Sequence, residues 1–175
     1  MTTFHIVGAV LAAVLLFWAV GAHNRLVRLR GAIVRRFVPV EAQFRARHAL
    51  LLQLLETLAP AMTHAAPRIE ALRAACVQLE AACAHAKLRP GAAGAVTSLR
   101  LADEILAEAR ARLPVHSAPG SSLAALNARL QASDATLAFA RRQFDEAVIE
   151  YNRAVMQFPT LLLVGLFGFR PAATL

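Results

Sequence analysis

The chain has 175 residues, of which 58% are hydrophobic and 17% charged, and it carries a formal net charge of +8. That length suits one compact domain with an appendage and excludes a large multidomain enzyme. A hydrophobic share above the roughly 45–50% of soluble domains assigns part of the chain to lipid, and two cysteines exclude a disulfide-rich scaffold.

Residues 1–3 form a short N-terminus, and Phe4 to Ala22 is the first element: 19 residues, Leu15 near the middle, with no charged side chain. A helix rising about 1.5 Å per residue covers roughly 28 Å over this stretch, close to the ~30 Å hydrocarbon core of a bilayer. Trp18, the only tryptophan, lies near one end, where an amphipathic ring suits the interface. The pattern predicts one N-terminal transmembrane helix over residues 4–22. A cleavable signal peptide is the rival reading: Val20-Gly21-Ala22 resembles a cleavage site, but no Lys or Arg precedes the apolar run.

Residues 23–36 follow as a basic juxtamembrane collar, with Arg25, Arg28, Arg30, Arg35 and Arg36 and no acidic residue. Arginine-rich flanks stay cytoplasmic, so the N-terminus is expected outside and the remainder inside, at a bacterial inner membrane. Topology alone explains these arginines, although each could also attract anionic head groups by about 1 kcal/mol. The remaining 14 basic residues face all 11 acidic ones, leaving the rest of the chain at +3. With no zinc-finger, zipper or RNA-binding pattern beside that charge, a nucleic-acid partner is not expected.

Residues 37–159 read as a helical bundle. Leu26, Ile33, Phe37, Val40, Phe44, Leu51, Leu55 and Leu58 make a stripe at three- and four-residue steps, continuous with the collar. Pro39 predicts a kink or restart near Val38. Pro60 and Pro67 bracket a connector, and Pro67 suits the first turn of a second helix carrying Ile69, Leu72, Cys76, Leu79 and Cys83. Pro90-Gly91 ends it. A third helix is expected from Val96 to Leu113, with Thr97 and Ser98 as candidate N-caps and Asp103 and Glu104 on its exposed face. A loop spans Pro114 to Ser122. In the fourth helix Leu123, Leu130, Leu137, Phe144, Tyr151 and Phe158 recur every seven residues, with mostly small residues three later, ending at Pro159. The fold class is thus all-α: an antiparallel four-helix bundle with two long helices of about 35 residues and two short ones near 20, preceded by one transmembrane helix. The tail, residues 160–175, holds nine apolar residues from Leu161 to Phe169, too few to span a bilayer. It could lie in the interface, cap the bundle or bind a partner.

Chemistry finds little purchase. Cys76 and Cys83, about 10.5 Å apart along one helix, cannot bridge each other, and no CxxC or HxxxH pair accompanies His85 to bind metal. The six histidines are scattered and no phosphate loop exists. No catalytic residue, metal, cofactor or small-molecule substrate is expected, and the chain reads as a non-enzyme. Arg47 intrudes on the apolar stripe of the first long helix, and Asn127, Asp134 and Arg141 flank that of the last. Either Arg47 pairs with Asp134 and sets the register of the two long helices, or it snorkels to water along its stem.

Several stretches resemble the LemA family. They are Asn24 to Arg30 (NRLVRLR), with its Leu26; Gln43 to Glu56; and Ala140 to Pro159, containing Tyr151, Asn152 and Phe158, followed by Gly165-Leu-Phe167-Gly168-Phe169. Departures occur at Arg47-His-Ala-Leu-Leu-Leu, which lacks an acid and a proline usual there, at Asp134 in place of Glu, and at Phe144-Asp145 in place of Tyr-Asn. The resemblance implies a bacterial membrane protein with one N-terminal helix, its N-terminus outside, and a cytoplasmic helical bundle. It implies no activity. Anchor, collar and seams together lead to the expectation of a membrane-anchored scaffold or adaptor that binds protein partners or itself. A lipid-surface or enzyme-associated regulatory module, acting through collar and tail, is the alternative.

Overall fold

The computed structural model describes residues 2–58, 65–113 and 121–175, all helical or irregular with no strand among them. The elements are α1 (Thr2–Leu58), α2 (Ala66–Leu88), α3 (Ala93–Ala111), α4 (Ser122–Met156) and α5 (Thr160–Phe167). The expected connector after Leu58 and the loop from Pro114 fall mostly outside the described residues.

Apolar segment, collar and first bundle helix form one helix of 57 residues, about 85 Å long. Pro39 lies within it and does not restart it. Pro39 and Arg35, whose carbonyl the proline leaves without its donor, both lie on the exposed face, where water can substitute. Residues 4–17 are exposed throughout, and an 18-residue window near the N-terminus has a mean hydropathy of 2.3, long and apolar enough to cross a membrane. From Leu26 onward the same helix turns a buried stripe inward: Leu26, Leu29, Ile33, Phe37, Val40, Phe44, Leu51 and Leu55.

Local sequence explains the other starts. Pro67 occupies the first turn of α2, where a missing N–H costs nothing. Ser121 caps α4, its Oγ accepting from the Ala124 N–H at 3.2 Å. The start of α3 differs from expectation. The helix begins at Ala93 behind an uncapped Ala92, and Ser98 instead donates to the Gly94 carbonyl (2.9 Å) inside the helix. Gly91, at φ +86°, makes the turn that frees the chain to re-enter helix so early.

Packing follows the apolar stripes. The most extensive contact is α1 on α4, then α2 on α3 and α1 on α2. Phe37 meets Phe144 edge-on at 5.7 Å, Arg141 lies over the Phe44 ring at 5.0 Å, and Arg47 reaches Asp134. Partner numbers in α4 thus fall as those in α1 rise. The same holds along α2, where Glu41 meets Lys87 and His48 faces Glu80. The seven-residue seam of α4 buries Leu130, Leu137, Phe144 and Tyr151, half-buries Leu123, and stops there: Phe158 is 76% exposed. Past it, α5 packs back against α1 and α4.

Candidate functional site at the foot of the apolar N-terminal segment

Three arrangements concentrate polar chemistry, and the one nearest the apolar N-terminal segment uses most of the residues singled out by sequence. Phe4, Leu15, Trp18 and Ala22 lie along the apolar part of α1, and Asn24, Arg25, Arg28, Arg30, Arg35 and Arg36 are exposed just beyond it. Against this stretch comes the C-terminal tail. Pro159 is half-buried, Gly165 is exposed in α5, and Gly168 in the left-handed region (φ +67°) ends that helix. The reversal turns Phe169 into the core at 8% exposure. The His23 ring sits 4.8 Å from Phe167 and 5.6 Å from Phe169, centroid to centroid, which places α5 level with the end of the apolar segment.

Residues 170–175 then run as a strap held by backbone hydrogen bonds. The Tyr151 hydroxyl donates to the Arg170 carbonyl (3.0 Å). Asn152 grips Ala172 at both ends, its Nδ2 donating to the carbonyl and its Oδ1 accepting from the N–H, each at 2.8 Å. Asp145 accepts from the Leu175 N–H at 2.8 Å, and Ala173 donates to the Gly91 carbonyl at 2.9 Å. Burial pushes the Asp145 carboxyl and the Tyr151 hydroxyl above their ordinary pKa values, as expected for groups enclosed by the strap. Tyr151 and Asn152 therefore clamp the tail. Asp145 adds a third hold, and sequence reasoning noticed it only as a departure from a motif.

The second arrangement lies midway down the bundle. Arg47, 6% exposed, donates from Nη1 to Asp103 Oδ1 at 2.6 Å. The other Asp103 oxygen accepts from Arg141 at 2.7 Å, and Asp134 Oδ2 accepts from Arg110 at 2.7 Å. Arg47 Nε and Asp134 Oδ1 stand 2.9 Å apart, but the N–H is not aimed at the oxygen; this is an ion pair without a hydrogen bond. Five charges thus link α1, α3 and α4. Asp103 is not merely an exposed residue of α3: its side chain is 14% exposed and it neutralises two arginines. Among the described residues, no Cα of α3 comes within 8 Å of one in α1 or α4. The gap is wide enough for arginine–aspartate pairs, which is why polar residues interrupt the seams here. The signal was legible in Asp103 sharing a face with the apolar Leu99 and Leu106, three or four residues away.

The third is a cavity of about 640 Å³ between α1 and α2, lined by Phe44, His48, Glu80, Cys83 and Lys87 among others. Desolvation pushes the Cys83 thiol up to about 11 and raises Cys76 as well, which disfavours the nucleophilic thiolate. Among the described residues no three His, Cys, Asp or Glu side chains group to hold a metal. No curated protein and no solved structure matches the chain. A family model does: the LemA family model aligns with residues 36–175, from the end of the collar through the bundle, clamp and strap. The chain belongs to the LemA family.

Proposed function

We propose that this chain is a single-pass scaffold of the bacterial inner membrane, its N-terminus outside and an antiparallel four-helix bundle presented in the cytoplasm to protein partners or to a second copy. The observation that carries the reading is the unbroken α1, which passes from the apolar segment into the bundle core without a joint. A bundle that shares a helix with its anchor holds a set distance and rotation relative to the bilayer, which a flexible tether would not provide. The collar arginines support the orientation. The protein works in this reading without catalysis, cofactor or small-molecule substrate. Photo-crosslinking from exposed bundle positions in intact membranes, for example Val77 and Phe139, should trap a partner or a second copy. Uniform failure to trap either would sink the reading. A fluorescent reporter that folds only in the cytoplasm, fused after Leu175, should glow; activity from an exported-enzyme fusion would reverse the orientation.

One observation favours the lipid-surface alternative as an accompaniment. Beside the buried Phe169, the residues Phe158, Leu161 and Phe167 are 76%, 52% and 48% exposed, level with the end of the span. The tail thus caps the bundle with one face and offers the other to the interface. A fluorophore on Phe158→Cys in bilayers should be quenched by brominated lipid. Equal quenching at Val77→Cys, far down the bundle, would remove this reading.

A further inference from the structure

A cavity of about 540 Å³ lies where the collar, the α2–α3 turn and the strap meet. Its lining contains Arg30 from α1, Arg89 from the turn and Arg170 from the strap, and no acidic residue. Among the described residues none of the three guanidinium groups has a carboxylate within 4.0 Å, whereas the arginines of the mid-bundle network are all paired. Three positive charges lining one concavity, with no acidic residue in its wall, raise the local positive potential and favour an anion there. Guanidinium forks pair bidentately with the oxygens of phosphate, where a lysine acts only as a point charge. The same wall includes Ala92 and Ala93, where α3 begins with no side-chain cap, adding the positive end of a 19-residue helix.

The rim is already assembled. Tyr151 lines the cavity and holds the Arg170 carbonyl; the Ala173 N–H is tied to the Gly91 carbonyl. A side chain on Gly91 would come 3.1 Å from the Ala172 Cβ and 3.3 Å from Ile33, so glycine is what lets strap, turn and α1 close around the space. Arg30 is eight residues past Ala22, about 12 Å along the helix, a few ångströms beyond a head-group layer roughly 5–8 Å deep, a gap that a long arginine side chain can cover by reaching back toward the interface.

We infer that this cavity is a binding site for a phosphate ester, either the head-group phosphate of an anionic phospholipid or a soluble phosphomonoester. The ligand bridges three segments distant in sequence, so it locks the strap to the bundle. The full-length chain in mild detergent is tested by native mass spectrometry with phosphatidylglycerol against phosphatidylcholine, and by thermal melting with inorganic phosphate and glycerol 3-phosphate against sodium chloride of equal ionic strength. Retention of phosphatidylglycerol over phosphatidylcholine identifies the lipid; a melting rise with the soluble phosphates beyond that with chloride identifies the free ester. In either case Arg89→Gln and Arg170→Gln each weaken binding by about tenfold, from the loss of one charge-assisted contact. Arg73→Gln on the outer face of α2 leaves binding unchanged. Both cavity variants keep the backbone hydrogen bonds of the rim, and should melt like the parent without ligand. Should either be destabilised, Arg30→Gln, on the exposed face of α1, replaces it. No preference for phosphatidylglycerol together with no phosphate-specific melting rise overturns the inference, as does equal ligand retention by cavity and control variants.

Discussion

Asp103→Ala isolates the energetics of the mid-bundle network. It removes the carboxylate that Arg47 and Arg141 share, at 2.6 and 2.7 Å. The Arg47 side chain is 7% exposed and cannot hydrate in place, while the remaining Asp134 carboxylate is already bonded to Arg110. Deleting one partner of a buried pair costs about 3–5 kcal/mol, because the surviving charge stays desolvated. The residual Asp134 contact and the 28% exposure of Arg141 put this case at the low end, about 3 kcal/mol. Asp134 is 37% exposed, so solvent screens it and Asp134→Ala should cost about 1 kcal/mol. At roughly 2–4 °C per kcal/mol for a domain of this size, the melting temperature falls by about 6–12 °C for Asp103→Ala and about 2–4 °C for Asp134→Ala. The assay is far-UV circular dichroism melting of the full chain in mild detergent, with double-mutant cycles to Arg47→Ala. The Arg47–Asp103 coupling should exceed the Arg47–Asp134 coupling. A fall for Asp103→Ala no greater than that for Asp134→Ala would refute Asp103 as the centre of the network.

Other outcomes follow from the clamp and the thiols. Asn152→Ala removes both bonds to Ala172 and should cost about 2 kcal/mol, with faster hydrogen exchange at the Ala172 amide; unchanged protection there would contradict the clamp. Gly91→Ala forces a side chain into the left-handed region and against Ala172, costing about 1–2 kcal/mol and loosening the strap in the same exchange experiment. Burial raises the folded-state pKa of Asp145 above its unfolded value near 3.8. Its protonated form is therefore favoured by folding: this stabilisation is complete below the unfolded pKa and is lost as pH rises through the folded one. Asp145→Asn should flatten that part of the stability profile, and an unaltered profile would count against it. With its pKa near 11, Cys83 should resist iodoacetamide at neutral pH until denaturant unfolds the bundle; rapid labelling of folded protein would show the thiol to be accessible.

The apolar segment, the collar and the four stretches of helical period were legible because each depends on residues close in sequence. A run without charge, a cluster of arginines and steps of three, four or seven are local patterns. Three departures from that reading depend on how the chain packs. Pro39 predicts a kink or a restart, and α1 does not restart there, because water can reach the freed carbonyl on the exposed face, which packing decides. Asp103 looked like a solvated acid until α3 came to rest opposite Arg47 and Arg141. The seven-residue period of α4 runs on to Phe158, yet the buried stripe ends at Tyr151 because α5 begins two residues after Phe158 and turns the chain back.

The tail shows the division most clearly. Its hydrophobicity and insufficient length for a span are properties of Leu161 to Phe169 alone, and the sequence by itself determined them. Only the tertiary structure decided that Phe169 turns inward while Phe158 and Phe167 stay outside, and that Tyr151, Asn152, Asp145 and Gly91 hold the strap beyond. Residues from position 30 to 175 meet there across α1, the α2–α3 turn and α4. No local pattern encodes that meeting, because hydrogen bonds and charge depend on distance in space.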